Sequence, residues 1–354
     1  LEKKYIYHQI FAPNKAFLKI DSGTKTLLGV ADKIRQFINK KLNLYHFKPD
    51  ELAIINALLL GQRQDISKEV YTNYTNAGAI HILAVSGLHV GVILLILSFV
   101  FKPLERFKHG KLIKTIILVS LLWCFALVAG LSASVTRAVT MFSIVTIAIN
   151  LKRPTNIYNT LAISMLVILL FRPMFIFDIG FQLSYLAVFA IVTLDPFLYK
   201  LWKPKSWILD KFWHTLTITI SAQFGIIPIS LYYFHQFPSL FFVSNLIIIP
   251  FLGLILGFGI LVILLAVLDI LPQFGADIYG YIISLMNGFI GWVSHQETFL
   301  FKDIPFSALH VLASYLFIIT LTRFLIKKNY NTLRLFLVTV LIIKTTLLFS
   351  KFNK

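Results

Sequence analysis

The sequence predicts an all-α polytopic integral membrane domain of roughly eight to ten transmembrane helices, some broken or interfacial, with a short N-terminal β remnant. Three observations carry that prediction. Of 354 residues, 58% are hydrophobic and only 14% charged, where an average soluble domain is about half apolar and one quarter charged. The mean hydropathy is +0.81. Leucine, isoleucine, valine and phenylalanine gather in stretches near the ~20 residues that cross a bilayer. A disordered chain and an ordinary soluble enzyme are excluded. The net charge of +18 points first to cytoplasmic loops obeying the positive-inside bias, and second to an anionic partner. A lone Cys124 excludes an intrachain disulfide or a thiolate metal cluster.

The chain opens Leu1-Glu2-Lys3-Lys4, without an initiator Met or a signal pattern, as a piece of a longer protein would. Tyr5–Phe11 and Ala16–Ile20, divided by Pro13-Asn14 and followed by Ser22-Gly23, read as two short strands. Residues 31–78 read as amphipathic or interfacial helices. Ile34, Phe37, Ile38 and Leu42 recur at helical spacing in the first. Pro49-Asp50-Glu51 opens the second, with proline and acids where the macrodipole favours them, and Gly61 ends it. Ser67-Lys68-Glu69 starts a third, suited to the membrane surface.

Apolar spans follow at 79–101, 112–131, 133–151, 157–171, 174–194, 212–233, 240–268, 276–295, 306–325 and 333–350. Residues 240–268 exceed one crossing and contain Pro250, which fits a tilted helix or a broken one. Residues 276–295 carry a stripe of Asp277, Gly280, Ser284, Asn287, Gly291 and His295, so they cross or lie in the interface. Alternating spans place Lys102, Arg106, Lys108, Lys111, Lys152, Arg153, Lys200, Lys203, Lys205, Lys211, Lys327, Lys328 and Arg334 on one side. The other side receives Arg172 and Lys302 with the tail lysines, so the first side is cytoplasmic and residues 1–78 face outward.

An ionisable group at mid-bilayer costs about 2.5–3.5 kcal/mol on insertion scales, so each one needs a reason. Arg137 lies a turn into the third span, and Asp178 a turn into the fifth with Gln182 and Tyr185 on its stripe. At similar outward depth, Arg137 and Asp178 are expected to form an ion pair or a shared polar vestibule; the alternative is Arg137 snorkelling to outer headgroups. In the first span, His81 and His89 fall near one helix face, and Ser86 neighbours His89. These are either pore lining or polar packing, or a Ser86–His89 dyad with Asn245 or Asp178 as third member. Gln223 with Pro228, and Asn245 with Pro250, suit discontinuous helices beside a wet cavity or merely kinked ones. There is no phosphate-binding loop and no metal-ligand spacing, so no cofactor, metal or catalytic residue is expected.

One block is more specific than these patterns. Leu58-Leu59-Leu60-Gly61-Gln62-Arg63, followed by Asn76-Ala77-Gly78-Ala79-Ile80-His81-Ile82-Leu83-Ala84-Val85-Ser86-Gly87-Leu88-His89-Val90-Gly91, resembles the signature of the ComEC competence proteins. Supporting matches are Ser134–Met141, Asp178–Tyr185 and Ser244-Asn245-Leu246 before Pro250; Ala79 and Val85 are mild departures. The resemblance implies an inner-membrane channel, residues 79–350, that passes single-stranded DNA into the cytoplasm during natural transformation. It implies that residues 1–30 are the tail of an outward-facing OB-like domain. Many members end in a metallo-β-lactamase-like nuclease domain, which this sequence does not carry, so no catalytic role is expected. His81, Ser86, His89, Arg137, Asp178, Gln182 and Asn245 carry over as pore or gate positions, beside Tyr185 and Gln223. Implied partners are single-stranded DNA, membrane lipid, a cytoplasmic motor, DNA-receptor proteins and a second copy of the chain. The alternatives are a secondary transporter of an anionic small molecule and an intramembrane serine hydrolase.

Overall fold

Helix dominates, as it must where the backbone has no water to bond and must satisfy its own polar groups. The computed structural model describes residues 26–151 and 156–352; the strands expected within 5–20 lie outside the described residues. Thirteen α-helices are described: α1 (Leu27–Leu42), α2 (Pro49–Leu60), α3 (Lys68–Asn76), α4 (Gly87–Val100), α5 (Gly110–Val128), α6 (Ala133–Asn150), α7 (Ile157–Phe171), α8 (Ile179–Tyr199), α9 (Trp207–Phe234), α10 (Phe241–Val267), α11 (Gln273–Ser294), α12 (Ala308–Lys327) and α13 (Tyr330–Phe352). Strands β1 (Phe237–Pro238) and β2 (Leu300–Phe301) pair antiparallel, Phe237 opposite Phe301. Six helices, α5, α6, α8, α9, α10 and α12, are long and apolar enough to cross a membrane, and α4 and α7 are shorter apolar helices. The protein is an all-α polytopic membrane domain.

Two compact units divide the chain. In the first (through Tyr74, then Ala79–Gln182 and Phe251–Trp292), α4, α5 and α6 share a core of Val85, Val90, Leu122, Ala126, Ala129, Val135, Ala138 and Val139. Helix α1 lies against α5, where Arg35 Nη1 donates to the Val128 carbonyl at 3.0 Å and satisfies an end the helix cannot bond itself. Helix α2 is enclosed, with every residue from Ala53 to Leu60 buried. Its termination follows the sequence: Gly61 is left-handed at φ 71, and Gln62 N–H reaches back to the Asn56 carbonyl at 3.1 Å. A methyl group at Gly61 would lie 2.5 Å from the Ala129 carbonyl oxygen, so conformation and packing both demand glycine.

The polar stripe of α11 belongs to this unit as an internal seam. Ser284 Oγ donates to Glu51 Oε1 at 2.6 Å and Tyr74 OH donates to Asn287 Oδ1 at 2.8 Å, while Gly280 leaves room for the Glu51 carboxylate. Tyr279 packs edge-on against Phe258 of α10, where Gly259 makes the space. The opposite face of α11 exposes Phe274, Ile278, Tyr281, Leu285 and Trp292.

The second unit holds residues 75–78, 183–250 and 293 onward. A methyl group at Gly225 would lie 2.6 Å from both Ala190 Cβ and the Leu186 carbonyl, so α8 and α9 touch backbone to backbone. Tyr315 OH, from α12, donates to the Gly225 carbonyl at 2.9 Å. Helices α12 and α13 form a hairpin joined by Thr320 and Thr339 hydroxyls at 2.7 Å and by stacked Phe324 and Phe336. Gly78, at φ 69, presses against Phe241, and Ser244 Oγ donates to the Ala77 carbonyl at 2.9 Å.

Three expected spans start elsewhere, the sixth at Trp207 and not 212. The first begins at Gly87, not 79, because residues 80–84 form turns and Ser86 and His89 build a capping box that fixes the helix start. The fifth begins at Ile179, not 174: Pro173–Phe177 is a 3₁₀ turn, Asp178 closes it, and α8 then runs to Tyr199. Helices α9 and α10 continue through Pro228 and Pro250 without interruption.

Candidate functional site

The start of α4 gathers the polar residues that a membrane helix tolerates least. Ser86 N–H meets His89 Nδ1 at 3.2 Å, and Ser86 Oγ lies 3.0 Å from the same atom. The imidazole therefore takes the place that Glu or Gln fills in an ordinary capping box. His89 is 1% exposed, and its Nε2 is buried without a hydrogen-bond partner among the described residues. Helix α6 arrives alongside. Ser134 Oγ donates to the Val85 carbonyl at 3.0 Å, and Arg137, 7% exposed, reaches Met141 Sδ with Nη1 at 3.4 Å. Its guanidinium flanks Gly87, where a methyl group would lie 3.4 Å from Nη2. Ser86, His89 and Arg137 thus come together from two motifs about fifty positions apart in sequence, as the Ser134–Val85 bond also spans 49.

His81 does not share a helix face with His89. It is exposed in the turn before α4, because the helix starts after it. The dyad reading of Ser86 and His89 has the required distance, but the same Nδ1 also receives the Ser86 N–H, and Nε2 meets no carboxylate orienter. The geometry is that of a cap.

Asp178 is also a cap. Its Oδ1 accepts from Phe181 N–H at 2.9 Å, so it sits before the first turn of α8 and not one turn inside a helix. Gln182 Nε2 turns back to the Ile176 carbonyl at 2.8 Å. Tyr185 is buried further along α8, and Gln223 is half-buried on α9. Asn245 is 7% exposed with Oδ1 buried and unpartnered, next to the Ser244 that binds Ala77.

Three polar features were not singled out from sequence. Glu51 is 6% exposed and accepts from Lys48 N–H at 3.0 Å as well as from Ser284. In the second unit, Asp195 receives Thr217 Oγ1 at 2.7 Å and faces His214 Nε2 at 3.3 Å, while Tyr199 OH donates to Asp210 at 2.7 Å. The start of α12 carries Ser307 and His310 in a second histidine capping box. Only the last left a sequence signal, the likeness of Ser307-Ala308-Leu309-His310-Val311 to Ser86-Gly87-Leu88-His89-Val90. No cluster of three His, Cys, Asp or Glu with metal-ligand geometry occurs among the described residues.

Apolar helices of bilayer length, with costly polar side chains turned inward, define a multi-pass helical membrane protein. The profile of the family described as Competence protein matches residues 58–328, and the chain belongs to that family. It is 28% identical over 254 residues to ComE operon protein 3 of Bacillus subtilis (strain 168), a match covering 70% of this chain and 31% of that protein. It is 28% identical over 207 residues to the uncharacterized protein YcaI of Escherichia coli (strain K12), covering 56% of this chain and 27% of the relative. An uncharacterized protein of Aquifex aeolicus (strain VF5) is 32% identical over 161 residues, covering 45% and 37%. The chain thus spans 27–37% of the length of these curated relatives. No solved structure matches it.

Proposed function

We propose that this chain is the membrane domain of a DNA-uptake protein of the bacterial inner membrane, conducting single-stranded DNA to the cytoplasm. The observation that carries the reading is the buried Arg137 guanidinium beside the capped start of α4, inside the region matched by the competence family. A single strand carries a phosphate every ~3.4 Å, so a path for it needs sparse, sequence-indifferent contacts. A guanidinium offers a planar fork of donors suited to phosphate oxygens, and the N-terminus of a helix favours negative charge. Tyr185, Gln182, Gln223 and Asn245 supply a stacking face and neutral amides, which hold bases loosely and allow release. A cytoplasmic motor supplies the pull, an outer DNA receptor delivers the strand, and the lysine-rich loops face the cytoplasm.

The test is import of labelled DNA by cells carrying variants of the full-length protein. Arg137→Ala and His89→Ala should each lower import by an order of magnitude or more at normal membrane abundance. Arg137→Lys should fall between them and wild type, because it keeps the charge and loses the fork. Wild-type import by Arg137→Ala would overturn the reading.

A further inference from the structure

The histidine capping box occurs twice, once in each compact unit. Ser86-Gly87-Leu88-His89-Val90 opens α4, and Ser307-Ala308-Leu309-His310-Val311 opens α12. The two agree in geometry as closely as in sequence. Ser307 N–H meets His310 Nδ1 at 3.2 Å, as Ser86 N–H meets His89 Nδ1. Ser307 Oγ lies 2.8 Å from that nitrogen, against 3.0 Å in the first box. His310 is 6% exposed and His89 1%. In both rings Nε2 is buried and has no hydrogen-bond partner among the described residues.

These contacts fix the proton. A backbone N–H can only donate, so each Nδ1 accepts, and the neutral ring carries its hydrogen on Nε2. Each box therefore holds a buried N–H donor pointed away from its cap. Capping alone does not call for histidine, since Glu or Gln closes such a box equally well. What histidine adds is the second nitrogen, and an unsatisfied buried donor is costly enough to need a reason in a native fold. Both rings also sit at helix N-termini, where the macrodipole favours an anionic acceptor.

We propose that His310 is a phosphate-contact site of the same kind as His89, its Nε2–H donating to a backbone phosphate oxygen of single-stranded DNA. This rests on the conduit reading above. A neutral donor holds a phosphate without a fixed charge that would trap the strand.

The experiment separates cap from donor in the full-length protein, with DNA import normalised to membrane-inserted protein. His310→Glu keeps a capping acceptor and removes the donor; His310→Gln keeps both, since its amide oxygen caps while its NH₂ donates. The inference expects His310→Glu to lose import about tenfold or more, the scale of a lost hydrogen bond to a charged group, with His310→Gln close to wild type. The same ordering is expected at His89. Import by His310→Glu equal to wild type would overturn it and mark the imidazole as a cap alone. Should the carboxylate prevent accumulation, His310→Gln against His310→Leu decides: equal import overturns, and selective loss in the Leu variant supports. If the wild-type protein itself imports no DNA, the conduit reading fails, an outcome distinct from a neutral His310→Glu.

Discussion

At Glu51 a carboxylate that is 6% exposed accepts from the Ser284 hydroxyl and the Lys48 amide, while Gly280 clears its path. A methyl group at Gly280 would lie 2.8 Å from Glu51 Oε2. Gly280→Ala should therefore destabilise the protein by about 1–3 kcal/mol, as overpacking does. Glu51→Ala should cost a similar amount by stranding a buried hydroxyl. The double variant should be less destabilised than the sum, because removing the carboxylate makes room for the methyl group. Thermal unfolding of the four proteins in detergent measures the coupling; strict additivity would contradict the contact. Sequence pattern could not reveal this residue. Acids after a proline read equally well as ordinary first-turn residues, and nothing local says that α2 is enclosed on all sides. His89 shows the converse: an imidazole is conspicuous in an apolar run, but its placement as a cap depends on where the helix starts.

At the scale of elements, the apolar runs located most helices, since bilayer length and composition alone set them. Boundaries failed where a turn was made of apolar residues, at 80–84 and 173–177, because hydrophobicity does not distinguish a 3₁₀ turn from helix. The α11 stripe leaves crossing and lying flat undecided in the sequence, and its length and faces favour the crossing as an expectation. β1, just before α10, pairs with β2, just after α11. Helix α10, with 27 residues, is about 40 Å long and α11, with 22 residues, about 33 Å, so each has the length of a crossing. The polar residues of α11 meet α2 and α3, and its apolar residues are exposed. In a Cys124→Ser background, Ile270→Cys and Lys302→Cys should react with impermeant maleimide from opposite sides of the membrane. Labelling from the same side would refute the crossing.

The loop before α5 supplies a pH-dependent element. The hydrogen bond from Lys114, at 2.6 Å, and then its charge hold the Glu105 carboxyl below its ordinary value. A depressed carboxylate contributes stability above its unfolded pKa and loses it as pH falls through the folded value. The small melting-temperature gap between wild type and Glu105→Gln should accordingly be present at neutral pH and close on acidification. A gap independent of pH would contradict the assignment.

For the whole molecule, two levels of sequence information behaved differently. Composition and the apolar runs gave the class, because a bilayer imposes those constraints on any chain that crosses it. The competence motif gave the neighbourhood of the candidate site, and the fold explains two of its glycines: Gly61 ends α2 against Ala129, and Gly78 admits Phe241. What stayed hidden was convergence between distant segments, such as Ser134 on Val85, and the second histidine box, which only comparison of residues 86–90 with 307–311 brings out.

The central claim is that a DNA strand passes the start of α4. Photo-crosslinking from single positions in the full-length protein, during import of radiolabelled DNA, tests it most directly. Probes at His89 and Arg137 should capture the strand, and probes at Leu95 and Phe99, which are 71% and 77% exposed on the outer face of the same helix, should not. Capture at Leu95 and Phe99 alone, or at none of the four while import proceeds, would contradict it.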